Sequence, residues 1–268
     1  MSLSESKQLT GSLKTLLLRG LLAGLIAGLL AGTVGYFIGE PKVDAAIAIE
    51  EAQAAAPADH PHGSEAEATN GHSHGDEEEP LVSRSGQKAG QFLALGLYGL
   101  AIGAIFATVA NVARRYTILS GPQLSLGLAA GGWLAIVAVP FFKYPANPPA
   151  VGDPETINDR TWLWVAVVLL GFAAVGLAVY AHKLLRNMLP TVRFIGAVAT
   201  FVLVTAVGYI LLPGVNEVKS DFPATLLWEF RVASLAETAT LWLSLGLAFA
   251  ALTEFASRGV REKDSAAA

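Results

Sequence analysis

LLLRGLLAGLIAGLLAGTVGYFI, residues 16–38, is the stretch on which the fold turns. It runs for 23 residues with one charge, Arg19, near its start. A helix rises about 1.5 Å per residue, so about 20 apolar residues cross the hydrocarbon of a bilayer. A cleavable signal would have a shorter core, of about 7 to 15 residues, closed by a small-residue cleavage site. Here Glu40-Pro41-Lys42 follows, which predicts a retained transmembrane helix. Glycine recurs at Gly20, Gly24, Gly28 and Gly32, a small-xxx-small register that clears one face for close helix packing. That face serves either ordinary packing inside a bundle or a moving or subunit-contacting surface.

Five further apolar runs follow at 92–112, 123–142, 161–180, 194–212 and 233–253, each 19 to 21 residues long. The chain of 268 residues is 53% hydrophobic and only 15% charged, where soluble domains carry about 25% charged residues. The predicted fold is therefore all-α, a polytopic membrane helix bundle of six spans. The expected division is a cytoplasmic N-terminus with the first helix (1–39), a disordered acidic His-rich extracytoplasmic loop (40–88), a five-helix membrane domain (89–256) and a cytoplasmic tail (257–268).

Basic residues in short loops set the orientation. One side holds eleven Lys and Arg against four carboxylates, among them Arg114, Arg115, Lys183, Arg186 and Arg193. The other holds seven against seventeen. Both termini are expected inside and the loop at 40–88 outside.

That loop contains PADHPHGSEAEATNGHSHGDEEE, residues 57–79, with four of the five histidines. Eleven of the 22 carboxylates lie between positions 40 and 79, so the net charge of −4 says little about the rest. The loop has no Phe, Trp or Tyr, and so little apolar surface to offset the entropy of ordering. His60/His62 and His72/His74 form two His-x-His pairs. In an extended chain i and i+2 point the same way, so each pair offers two imidazole nitrogens to one divalent ion, with carboxylates close by. A solvated low-complexity linker has the same composition.

The other two outer loops differ from the inner ones. Residues 143–160 read KYPANPPAVGDPETINDR and residues 213–231 read PGVNEVKSDFPATLLWEFR. Proline restricts both itself and the residue before it, so the first loop is expected to hold a shape. Asn147, Asp153, Glu155, Asn158 and Asp159 from one loop, with Asn216, Glu217 and Asp221 from the other, are candidates for an oxygen-lined vestibule that takes divalent cations. The same residues beside Pro and Gly are also common turn formers. Glu237 sits about 10 Å inside the last span, counting from Phe230, and an ionisable residue at that depth is a candidate for the transport path. His182, beside Lys183, reads as an interfacial residue.

Cysteine is absent, which excludes disulfides and thiolate chemistry, and no phosphate loop or nucleophile elbow occurs. An enzyme is not expected, nor a resident cofactor, nor a nucleic-acid partner.

The Gly-rich first helix, the His and acid segment, KYPANPPAVGDPETI after the third run, and LLPGVNEV followed by DFPATLLWEFRVASL before the last together resemble the CbtA family of cobalt transporter subunits. The resemblance covers nearly the whole membrane part. It implies a multi-pass protein of the bacterial inner membrane that takes up cobalt for cobalamin synthesis beside a small single-span His-rich subunit, CbtB. By motif it favours Asn147, Asp153, Glu155, Asn216, Glu217 and Asp221. The expected function is uptake of a divalent metal, cobalt by resemblance, with lipid as the surrounding partner. A non-transporting metal-binding scaffold or sensor, holding a partner through the glycine face, is the alternative.

Overall fold

The structure is a computed structural model and describes residues 9–55 and 82–266. Among the described residues there is helix and no strand, and six helical stretches are long and apolar enough to cross a membrane. In chain order they are built from α1 (Leu13–Val34) continued by α2 (Glu40–Ala55), α3 (Arg84–Ala113), α4 (Gly121–Trp133) continued by α5 (Val139–Lys143), α6 (Ile157–Leu184), α7 (Pro190–Leu211) and α8 (Ala224–Ala266). Local chemistry fixes several starts. Ser12 and Ser83 accept from the amides of Thr15 and Gly86, and Ser120 with Gln123 forms a reciprocal capping box.

The centre is α1, enclosed by α3 and α8, with α4 laid against α8. Leu16, Phe106, Trp242, Leu245 and Phe249 fill this core, and the rings of Phe106 and Phe249 meet edge to face at 5.3 Å. The glycine face of α1 is spent on α3. A Cβ built at Gly24 would lie 2.8 Å from the carbonyl carbon of Gly99, and one at Gly28 2.9 Å from that of Leu95. Backbone touches backbone here, with room for nothing larger than hydrogen. The face is thus closed within the chain, and the alternative in which it holds a partner loses its surface.

α6 and α7 form a hairpin at the side of this core, resting on the α4–α5 segment. Leu18, Leu93, Leu97, Ile105, Leu203 and Ile210 are exposed on the outside of the bundle. So much apolar surface suits lipid and would be untenable in water.

Pro41 and Pro140 both lie within continuous helical stretches. Each follows a π-helical turn, Gly35–Gly39 in one case and Leu134–Ala138 in the other. The amide of Glu40 reaches the carbonyl of Gly35, and that of Val139 reaches Leu134. A proline offers no amide to the carbonyl four residues back. Widening the preceding turn shifts the bonding register, so the helix passes through.

The expected loop at 40–88 is shorter than its composition suggested. Residues 40–55 continue the first helix as α2, and residues 84–88 are the first turn of α3. Aromatics are missing, but the alanine-rich stretch favours helix and Ala46 packs against Phe222 and Leu227. Asp44 pairs with Arg84 at 2.8 Å and Lys88 at 2.6 Å, Glu40 also pairs with Arg84, and Lys42 pairs with Glu229. His60, His62, His72 and His74 lie outside the described residues. At the other end of the chain, α8 continues through the expected tail as far as Ala266.

Candidate functional site

Arg114 donates to the carbonyls of Leu9 and Gly11, and Gly121 lies against Leu9 and Thr253. The start of α1, the end of α3 and the part of α8 around Thr253 therefore meet at one end of the bundle. The opposite end carries the two proline-containing loops, and there the polar side chains converge.

The loops are shorter than expected, because residues 157–160 belong to α6 and 224–231 to α8. The first bends through two left-handed positions, Ala150 at φ 66° and Gly152 at φ 133°. A Cβ at Gly152 would come 2.9 Å from Arg160 Nη1, so the glycine also clears room for that guanidinium. Arg160 Nη1 pairs with Glu217 Oε2 at 2.9 Å. The Asp153 amide donates to the same oxygen at 3.4 Å, and the Thr156 hydroxyl donates to Oε1. Glu217 is 8% exposed, which makes this pair the clasp between the loops.

Three further contacts stitch the end together. Arg231 Nε donates to the Ala146 carbonyl at 3.2 Å and Nη2 to Asn147 Oδ1 at 3.0 Å. The Tyr144 hydroxyl donates to the Pro213 carbonyl at 2.8 Å, and burial pushes that hydroxyl above its usual range. Lys143 Nζ donates to the Tyr209 carbonyl at 2.9 Å.

Between the loops and the helices beneath them lies a cavity of about 510 Å³. Tyr98, Phe141, Trp164 and Val137 supply apolar wall, and Asn147, Arg160, Asn216, Glu217 and Arg231 supply the polar part. A smaller pocket of about 60 Å³ lies further in and is lined by Glu237, Leu95 and Trp242. Tyr98, Val137 and Thr238 line both, so the two are neighbours.

Glu237 sits between the two π-helical turns. A Cβ at Gly35, in the first, would lie 2.9 Å from Glu237 Oε2, and Val137, in the second, shares its pocket. The amide of Gln91 crowds the same point from α3, and among the described residues its buried Oε1 has no partner. Since α8 begins at Ala224, Glu237 is about 20 Å along its helix.

Of the expected vestibule residues, Asn147, Asn216 and Glu217 line the cavity together. Asp153 stands at the edge, with Oδ1 accepting from the Glu155 amide at 2.9 Å. Glu155, Asn158, Asp159 and Asp221 are exposed and outside the lining, Asp221 accepting from Gln53 at 3.5 Å. Among the described residues no three His, Asp or Glu side chains are grouped to hold a metal ion. His182 accepts from Arg193 Nη2 at 2.9 Å and ties α6 to α7 at the far end.

Residues 13–254 match the family described as probable cobalt transporter subunit, CbtA. The chain belongs to the CbtA family. Both loops, the cavity and Glu237 fall inside the matched range. No curated protein and no solved structure matches this CbtA chain.

Sequence reasoning missed the two arginines of the CbtA cavity, counting Arg160 and Arg231 only toward membrane orientation. A signal for the second existed. Arg231 and Thr238 are seven residues apart, two turns of one helical face, and both line the cavity.

Proposed function

We propose that this chain is the membrane-embedded subunit of a cobalt uptake transporter, with the cavity between the loops as its outer entrance. The observation that carries this is the succession of two cavities through shared residues, from the loop end to a carboxylate inside the membrane. Family membership supports cobalt as the cargo. The excess of basic residues at the Arg114 end supports a cytoplasmic placement of that end, in a bacterial inner membrane. The two His-x-His pairs act as a collector outside, and a small single-span His-rich subunit of the CbtB type works beside the chain. Glu237, crowded by Gln91 and Gly35 between two π-helical turns, is the relay on the inward path, since π-helical turns often mark functional positions.

Initial uptake of radiolabelled cobalt in cells tests this. Glu237→Gln keeps the shape and removes the charge, and is expected to slow uptake by at least about tenfold, or about 1.4 kcal/mol. Deleting residues 57–79 is expected to slow uptake only at limiting cobalt. Unchanged accumulation in cells lacking the chain, grown on limiting cobalt, overturns the reading.

A further inference from the structure

The hydrogen bonds of the cavity's three charged groups decide which sign of ligand it accepts. Glu217 is already satisfied: Oε1 accepts from Thr156, and Oε2 from Arg160 and the Asp153 amide. A bare cation arriving at that carboxylate would meet the charge of Arg160 beside it and a second guanidinium in the same cavity.

Arg231 is in the opposite condition. Its two hydrogen bonds go to neutral acceptors, the Ala146 carbonyl and Asn147 Oδ1. Among the described residues it has no ion pair. A guanidinium carries five N–H groups in a flat fork that matches the two oxygens of a carboxylate. With two of them engaged, both N–H groups of Nη1 and one of Nη2 remain to meet a ligand. Much of the wall around them is apolar and aromatic, so a ligand that docks there displaces part of the water that screens the charge. A volume of about 510 Å³ is also that of a small organic molecule's site and far exceeds the needs of one ion.

We propose that this cavity binds a small carboxylate-bearing anion through Arg231. Its link to cobalt rests on the transport reading above: the metal then enters as a carboxylate chelate instead of a free dication. Asn147 orients the fork, and the Arg160–Glu217 clasp closes the side of the site.

Calorimetric titration of the full chain, purified in detergent, tests this with three probes: citrate, the cobalt–citrate complex and cobalt chloride. Citrate and its complex are expected to bind saturably in the cavity, whereas cobalt chloride alone is expected to bind only at the His-x-His pairs, its heat disappearing when residues 57–79 are deleted. Tighter binding of the complex identifies the chelate as ligand, and equal or tighter binding of citrate identifies the free acid; either carries the proposal. Arg231→Gln is expected to weaken the anion by at least about tenfold, with Arg231→Lys between it and the native chain. Because Arg231 also holds a loop, Asn216→Asp gives a second reading. It keeps the oxygen that accepts from the Val218 amide and adds a negative charge to the lining. Anion binding should fall in this variant while the thermal unfolding midpoint holds.

No heat from citrate or its complex overturns the proposal, as does binding indifferent to Asn216→Asp, or cobalt chloride binding that this substitution strengthens. Cobalt uptake in cells without anion binding sinks the anion site and leaves transport standing. Anion binding without uptake does the reverse.

Discussion

α1 and α7 are each 22 residues long and strongly apolar, yet one is enclosed and the other nearly bare. Eight residues of α1 are buried, seven of them Gly or Ala, whereas Gly208 alone is buried in α7. Lipid tails are as apolar as leucine, so hydrophobicity does not choose the helix that goes to the middle. Small residues do, because they let two backbones approach and gain dispersion contacts that lipid cannot match. α7 is held differently. It touches α6 along its length, while its loop end hooks back through Tyr209, which donates to the Val139 carbonyl at 2.5 Å, through Lys143, and through the Glu217 clasp that follows it.

The sharpest way to break this contrast is Gly24→Ala. The added methyl would meet the Gly99 carbonyl and lie 3.0 Å from Gly103 Cα, and none of these atoms can swing aside. Overpacking of this kind costs about 3 kcal/mol or more when the neighbour is backbone. Thermal unfolding in detergent should show a large drop in midpoint. A midpoint equal to the native one means α1 and α3 are not in backbone contact.

At the loop end the expected effect is smaller. Glu217→Gln keeps the shape and leaves Arg160 without its anion. A fully buried broken pair costs about 3–5 kcal/mol, but Arg160 is 33% exposed, so about 2 kcal/mol is expected. Combining it with Arg160→Met should cost clearly less than the sum of the two single changes. Additive losses would mean the two loops are not clasped through this pair.

These two regions also show what could be read from the sequence. The six spans were legible because hydropathy over about 20 residues is a strong signal. So was the packing register of Gly20 to Gly32, although not which helix it meets. The helix ends were less legible. Residues 40–55 and 224–231 look like loop beside the apolar runs, but they are helical, and Ala46, Phe222 and Leu227 form a small core there. That Pro41 and Pro140 sit inside helices was not legible either, for a local reason: a π-helical turn repairs the register that a proline disturbs. At the site, the meeting of Asn147, Asn216 and Glu217 was legible from their loops. That Arg160 would take up Glu217 was not, because a carboxylate's partner depends on geometry that composition does not carry.

Gly208→Ala sharpens the comparison from the other side. It is the same substitution as at Gly24 in an equally apolar helix, and a Cβ there also runs into a neighbour. That neighbour is the side chain of Leu170, whose Cγ lies 2.9 Å away and which can change rotamer. The expected loss is about 1 kcal/mol or less. A loss as large as that of Gly24→Ala would show that the α6–α7 contact is as rigid as the α1–α3 contact.

Gly176, on the exposed side of α6, is the limiting case, since a Cβ there has nothing within 4 Å. With no clash to offset it, only the backbone term remains. A glycine in a helix interior is about 1 kcal/mol less favourable than alanine in water, and less than that where the bilayer already enforces helix. Gly176→Ala should therefore leave the midpoint unchanged or raise it slightly. Gly24, Gly208 and Gly176 then form a series in which one added methyl group meets backbone, side chain and lipid in turn. If the three midpoints fall in any other order, close backbone contact is not what places α1 at the centre.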